Sequence, residues 1–255
     1  MSVVEIIFSP TGGTEKVAQI IAGKLDENIK RIDLSDSKAD FTKCNIDVND
    51  EVLIAMPVFA SRPPAVAIDR LKQIKGKGAK CSLICVYGNG DYGNTLSEMK
   101  DAAEECGFEV TSAIAAIAQH SIISKYASGR PDEQDIKQLS EFASQIQNKT
   151  DKISSELYTE FEEIDDESKP EPPLNPPLPK AGDDCLKCGA CAESCPLQAI
   201  SSKDFVANLG KCIFCMRCVS KCPNGSRKVD EDVLLAAASA LEEICSIRKE
   251  NELFI

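Results

Sequence analysis

The chain has 255 residues, enough for two domains, and with 43% hydrophobic and 27% charged residues it can bury a sizeable core, which excludes a disordered chain or a collagen-like fibre. A formal charge of −12 argues against nucleic-acid binding, which needs clustered Lys and Arg to displace counterions from phosphates. No run of about 18 apolar residues and no basic leader occurs, so neither a membrane span nor a secretory signal is expected and the cytoplasm is the expected location. In chain order, apolar runs then alternate with amphipathic stretches: residues 3–8 then 14–25, a weaker strand at 30–34, 51–56 then 65–74, 80–87 then 95–106, and 108–118 then 132–146. This is the pattern of a parallel sheet wrapped by helices. The runs at 52–55 and 82–86 are continuously apolar, as strands covered on both faces are. Five strands predict a small, doubly wound α/β domain over residues 1–149.

Between the first strand and the first helix lies Ser9-Pro10-Thr11-Gly12-Gly13-Thr14-Glu15. Its glycine amides, its hydroxyls on Ser9, Thr11 and Thr14, and the positive end of the helix dipole make an anion cradle; the same residues also read as a plain capped turn. The loop contains no lysine, so it suits a monophosphate and not a nucleoside triphosphate. It resembles the flavodoxin phosphate loop, Ser/Thr-x-Thr-Gly-x-Thr, over a region that extends from residue 1 to about 148. The resemblance implies FMN on a five-stranded sheet of order 2-1-3-4-5, with the flavin ring between two further loops at strand ends. One is Pro57-Val58-Phe59-Ala60, with Phe59 as an aromatic wall. The other is Gly88-Asn89-Gly90-Asp91-Tyr92-Gly93, with Tyr92 as a second wall. That loop also spells Gly-x-Gly-x-x-Gly, but a dinucleotide fingerprint belongs on the first strand-helix turn, which the phosphate loop already occupies. Many flavodoxins carry glycine where this chain has Ala60, and a Cβ there penalises the positive-φ peptide flip of the family. His120, the one histidine, stands at the end of the last strand, as a flavin donor, a proton relay or a structural polar residue.

Acidic residues outnumber basic ones most heavily between 151 and 182, where Pro170, Pro172, Pro173, Pro176, Pro177 and Pro179 stiffen the chain, so residues 150–182 read as a linker. Leu157, Tyr158, Phe161 and Ile164 suggest that its first part extends a helix or packs on a neighbour.

Thirteen cysteines in a reducing compartment suggest metal more than disulfides. Eight of them form two copies of Cys-x2-Cys-x2-Cys-x3-Cys-Pro, at 185–196 and 212–223. Three thiolates spaced by two residues wrap one cubane and the fourth reaches the other cluster, whereas zinc prefers paired knuckles. The segment 183–228 resembles the bacterial-type ferredoxin, a small α+β domain with two [4Fe-4S] clusters. By that family's cross-over, Cys185, Cys188, Cys191 and Cys222 would hold one cluster, and Cys212, Cys215, Cys218 and Cys195 the other. Ile200, Val206, Ile213 and Phe214 are placed to keep water from the sulfurs. Cys44, Cys81, Cys85, Cys106 and Cys245 share no ligand spacing and read as small buried hydrophobes. Residues 229–255 carry an amphipathic helix, 233–247, expected to dock on one domain.

The whole chain resembles flavodoxin-ferredoxin fusions. The resemblance implies a low-potential carrier of single electrons between clusters and FMN, exchanging with protein donors and acceptors that present basic docking faces. A flavin-dependent reductase of a small molecule and a redox sensor are the alternatives. A homodimer that brings one chain's clusters to another's flavin stays open.

Overall fold

A computed structural model of the chain describes residues 2–147 and 176–255. The expected linker lies mostly outside the described residues, as do Leu157, Tyr158, Phe161 and Ile164. The first half begins with β1 (Val3–Ile7), α1 (Gly13–Leu25) and β2 (Ile29–Asp33) and continues through β3 (Glu51–Pro57) and α2 (Ala65–Leu71). It closes with β4 (Lys80–Tyr87), α3 (Thr95–Glu105), β5 (Glu109–Ile117) and α4 (Glu133–Gln147). The first five strands are parallel in the order 2-1-3-4-5, the expected flavodoxin-like order.

Covering on both faces explains why the central strands are mostly apolar, with Glu5 and Ser82 as buried polar exceptions. Leu71, Leu96 and Met99 of α2 and α3 pack on one face, and Val17, Ile21 and Leu139 of α1 and α4 on the other. Each such fully buried side chain contributes about 1.5–3 kcal/mol relative to exposure. β2 reads weakly because it is an edge strand with Lys30 and Arg31 in solvent.

The second half starts earlier than the expected residue 183: β6 (Lys180–Ala181) pairs antiparallel with β7 (Arg227–Lys228), enclosing α5 (Ala190–Glu193) and α6 (Arg217–Ser220). α5 and α6 begin at equivalent points of the two cysteine runs, which gives the half its internal repeat. Buried Arg227 ties the ends together, donating to the carbonyls of Phe205 and Pro179, both at 2.9 Å. The helix expected over 233–247 is two helices, α7 (Glu231–Ala240) and α8 (Glu242–Cys245), separated at Leu241. They dock on the first half through Ile123 and Tyr126. The chain then adds β8 (Glu252–Phe254), antiparallel to β5, as a sixth strand that the sequence does not announce.

Candidate functional site

The phosphate loop closes around itself as its composition dictates. Gly12 takes φ 93°, a conformation glycine adopts without a Cβ penalty, and α1 starts at the next residue. The Ser9 hydroxyl accepts the backbone N–H of Glu15 at 2.9 Å, so it shapes the turn. Thr11, Gly13 and Thr14 face a cavity of about 290 Å³, near the lower end of small-molecule sites. Pro57 at the end of β3, Val58, Phe59 and Ala60 just beyond it, Gly88 after β4 and His120 after β5 line the same cavity. The first half thus gathers the ends of its central strands where a ligand of an open α/β sheet binds.

Ala60 takes the positive φ that its Cβ penalises. Phe59 and Arg62 exchange backbone hydrogen bonds of 2.8 and 3.2 Å, and between them Ala60 and Ser61 sit at φ 49° and 62°. The Cβ of Ala60 therefore does not prevent the left-handed backbone; the turn imposes it, at about 1–2 kcal/mol per residue.

The glycine-rich loop also needs correction. Gly88 lines the cavity, but Asn89, Gly90, Asp91, Tyr92 and Gly93 do not. The C-terminal segment competes for them. Asn89, buried and at φ 69°, donates to the carbonyls of Cys245 (2.8 Å) and Ile247 (2.7 Å) and accepts from the Lys249 amide (3.1 Å). Lys249 Nζ donates to the Gly90 carbonyl, and Asp91 accepts from the Gly93 amide at 3.0 Å. Tyr92 donates its hydroxyl to Glu252 at 3.0 Å and stacks edge-on against Tyr87 at 5.3 Å. Burial, then the Glu252 carboxylate, raise the Tyr92 pKa, so it stays a neutral donor.

His120 Nδ1 accepts the backbone N–H groups of Ile122 (3.2 Å) and Ile123 (3.0 Å), which puts the proton of the neutral ring on Nε2. Burial lowers its pKa and keeps it neutral. Gly88 makes room for the ring, since a Cβ there would lie 2.6 Å from His120 Cδ2.

In the second half, Cys185, Cys188, Cys191 and Cys222 surround one cavity and Cys195, Cys212, Cys215 and Cys218 another, so each fourth cysteine crosses to the other run's trio. Among the described residues no three His, Cys, Asp or Glu side chains are grouped to hold a single metal ion. Each cavity is lined by four cysteines, a donor set whose chemistry suits a [4Fe-4S] cluster. Burial pushes the Cys215 thiol up to about 12 and also raises Cys212 and Cys218. Cys188 by contrast is exposed. Of the expected shielding residues, Ile200, Ile213 and Phe214 border the cavity of Cys195, while Val206 is 62% exposed and shields nothing there. Among the other cysteines Cys81, Cys85 and Cys245 are buried, and Cys44 and Cys106 are only partly so, packed against the core.

The two halves meet over the ends of the central strands. Arg70 donates to the carbonyls of Leu34 and Pro196, both at 2.6 Å; Arg217 donates to the Ser9 carbonyl at 3.3 Å; Lys38 pairs with Glu193 at 3.2 Å. Ile213, Phe214 and Cys215 consequently line the large cavity from the second half, and Cys215 borders both that cavity and its own cysteine quartet. Sequence reasoning missed this closure, because isolated arginines carry no motif.

Residues 180–223 match the family model of the 4Fe-4S dicluster domain. No curated protein matches the chain. Among solved structures, a flavodoxin from the domain Archaea is similar at 13% identity over 58% of this chain and 96% of that one, with a TM-score of 0.43. Oxidised flavodoxin 1 from Bacillus cereus is similar at 19% identity, over 57% and 97%, with a TM-score of 0.43. The two-electron reduced flavodoxin of Megasphaera elsdenii is similar at 22% identity, over 56% and 98%, with a TM-score of 0.35. A first half with the flavodoxin strand order is thus joined to a segment that matches 4Fe-4S dicluster domains.

Proposed function

We propose that this is an electron-transfer protein that passes single electrons between two [4Fe-4S] clusters and FMN and exchanges them with an external redox protein. The observation that carries this reading is Cys215, which borders both the sulfur-lined cavity and the large cavity at the strand ends. When bound, FMN supplies acceptance of one or two electrons, and each cluster supplies transfer of one. Thr11, Gly13 and Thr14 at the start of α1 would hold the phosphate. Phe59 and Val58 would exclude water from the ring, and His120 would offer a neutral Nε2–H that donates a hydrogen bond without giving up a proton. Cys195, Cys212, Cys215 and Cys218 would hold one cluster and Cys185, Cys188, Cys191 and Cys222 the other, with exposed Cys188 on the face for exchange with a partner. No residue is required as a general acid or base.

Anaerobic stopped-flow reduction by a low-potential protein donor tests it. The intact protein is expected to reduce its flavin rapidly, and the Cys188→Ala and Cys215→Ala double variant, held at FMN concentrations that fill its site as checked by flavin fluorescence, to lose that route. Undiminished flavin reduction in the double variant would overturn the carrier reading and favour an enzyme that works at the flavin alone.

A further inference from the structure

Tyr92, which the sequence offers as the second aromatic wall, is engaged by Glu252 and stays out of the large cavity. Besides Tyr87 at the end of β4, the aromatic residue that joins Phe59 there comes from the other half: Phe214, between Cys212 and Cys215, with Ile213 beside it. This loop is built under constraint. Phe214 and Met216 have φ 54° and 59° although neither is glycine; the first cysteine run has Lys187 at 53° and Gly189 at 82° in the same places. Side chains hold such a backbone only where the surroundings over-determine it, and the surroundings here are three cysteines drawn around one cavity. Arg217 follows directly, donating from Nη1 to the Ser9 carbonyl of the phosphate loop, with Nε buried and without a partner among the described residues. One loop therefore touches the sulfur cavity, the flavin cavity and the phosphate loop.

We propose that loop 212–218 of the iron–sulfur half is itself a flavin-binding element. Ile213 and Phe214 form the second wall of the flavin site, and FMN is held tightly only while the cluster on Cys195, Cys212, Cys215 and Cys218 keeps this loop in shape. The inference rests on reading the large cavity as the FMN site. Linkage makes the coupling reciprocal: bound FMN must stabilise that cluster by the same factor.

The test uses anaerobically prepared, cluster-loaded full-length protein stripped of flavin and titrated with FMN and with riboflavin while flavin fluorescence is followed. Phe214→Ala with its full iron content is expected to weaken both flavins about ten- to a hundredfold, because the wall contacts the ring and not the phosphate. Tyr92→Ala is expected to change either affinity less than about threefold. Ile213→Ala, a smaller truncation of the same wall, serves if Phe214→Ala loses iron. In a second measurement, saturating FMN is expected to slow the release of about half of the iron to a chelator and to leave the other half unchanged, since the loop serves one of two clusters. Unchanged flavin affinity in iron-replete Phe214→Ala, a larger loss in Tyr92→Ala, or iron release indifferent to FMN overturns the proposal. Failure of the intact protein to take up any FMN overturns the FMN reading on which it rests.

Discussion

Thr14 is 4% exposed, and it stands in the first turn of α1 facing the cavity. Loss of its hydroxyl removes a charge-assisted hydrogen bond to phosphate of about 1.5–3 kcal/mol, so Thr14→Ala is expected to weaken FMN about ten- to a hundredfold and leave riboflavin nearly unchanged. Fluorescence titration of both flavins checks this. Ala60 offers an opposite experiment: at φ 49° glycine avoids a Cβ penalty that slightly exceeds glycine's own entropy cost. Ala60→Gly is expected to raise the unfolding free energy by about 0.5–1 kcal/mol in urea titrations. His120 sets a pH dependence. Its folded pKa is depressed by burial below the ordinary 6.5, so below that pH the unfolded chain binds a proton that the folded chain refuses. Stability carried by His120 is present above 6.5 and is lost as pH falls toward the depressed value. As the chain has one histidine, His120→Asn is expected to flatten the fall of the melting temperature between about pH 6.5 and 5.5. Thr14 and His120 were visible as candidates in the sequence, but the geometry of Asn89 and Tyr92 was not. Their partners, Cys245, Ile247 and Glu252, lie far away in the chain and share no motif with them.

Elements were legible in proportion to how much of their pattern was local. The apolar runs of β1, β3, β4 and β5 identify themselves, because a strand covered on both faces spares few polar positions, here Glu5, Ser82, Thr111 and Ser112. β8 is three residues long and exists only by pairing with β5, so nothing local announces it. Asn251 anchors it. Its Oδ1 accepts the Ile117 amide at 2.9 Å, and its Nδ2 donates to Asp135 (3.0 Å) and Gln138 (2.7 Å). Asn251→Ala leaves the Ile117 N–H buried without an acceptor and exposes the neighbouring Arg130–Asp135 ion pair to a gap. A loss of about 2–3 kcal/mol in stability is expected, read as a lowered denaturant midpoint with flavin absent. The cysteine quartets stand at the other extreme. Their spacing carries the resemblance to bacterial-type ferredoxins, and that resemblance implied the crossed grouping now seen around two cavities.

For the molecule as a whole, on the carrier function proposed above, the docking of the two halves sets how electrons would enter. Placing one quartet against the large cavity leaves the other, with exposed Cys188, as the outer terminus. The chain carries −12 before any cluster is added, and each oxidised cluster with four thiolates adds about −2. A donor with a basic docking face is therefore favoured, and the bimolecular rate of flavin reduction is expected to fall as salt rises from about 0.01 to 0.5 M, while a neutral small reductant shows little change. Among the described residues no helix is long and apolar enough to cross a membrane. The return of the chain to the first half after the iron–sulfur segment has a consequence for biosynthesis. Translation delivers β1 to α4 first, yet the free edge of β5 waits for β8, and the loop after β4 waits for Lys249 and Glu252, until every cluster cysteine has left the ribosome. The nascent flavodoxin-like half thus carries an open sheet edge throughout synthesis of the iron–sulfur segment. Cutting the gene between the halves would leave that edge open for good.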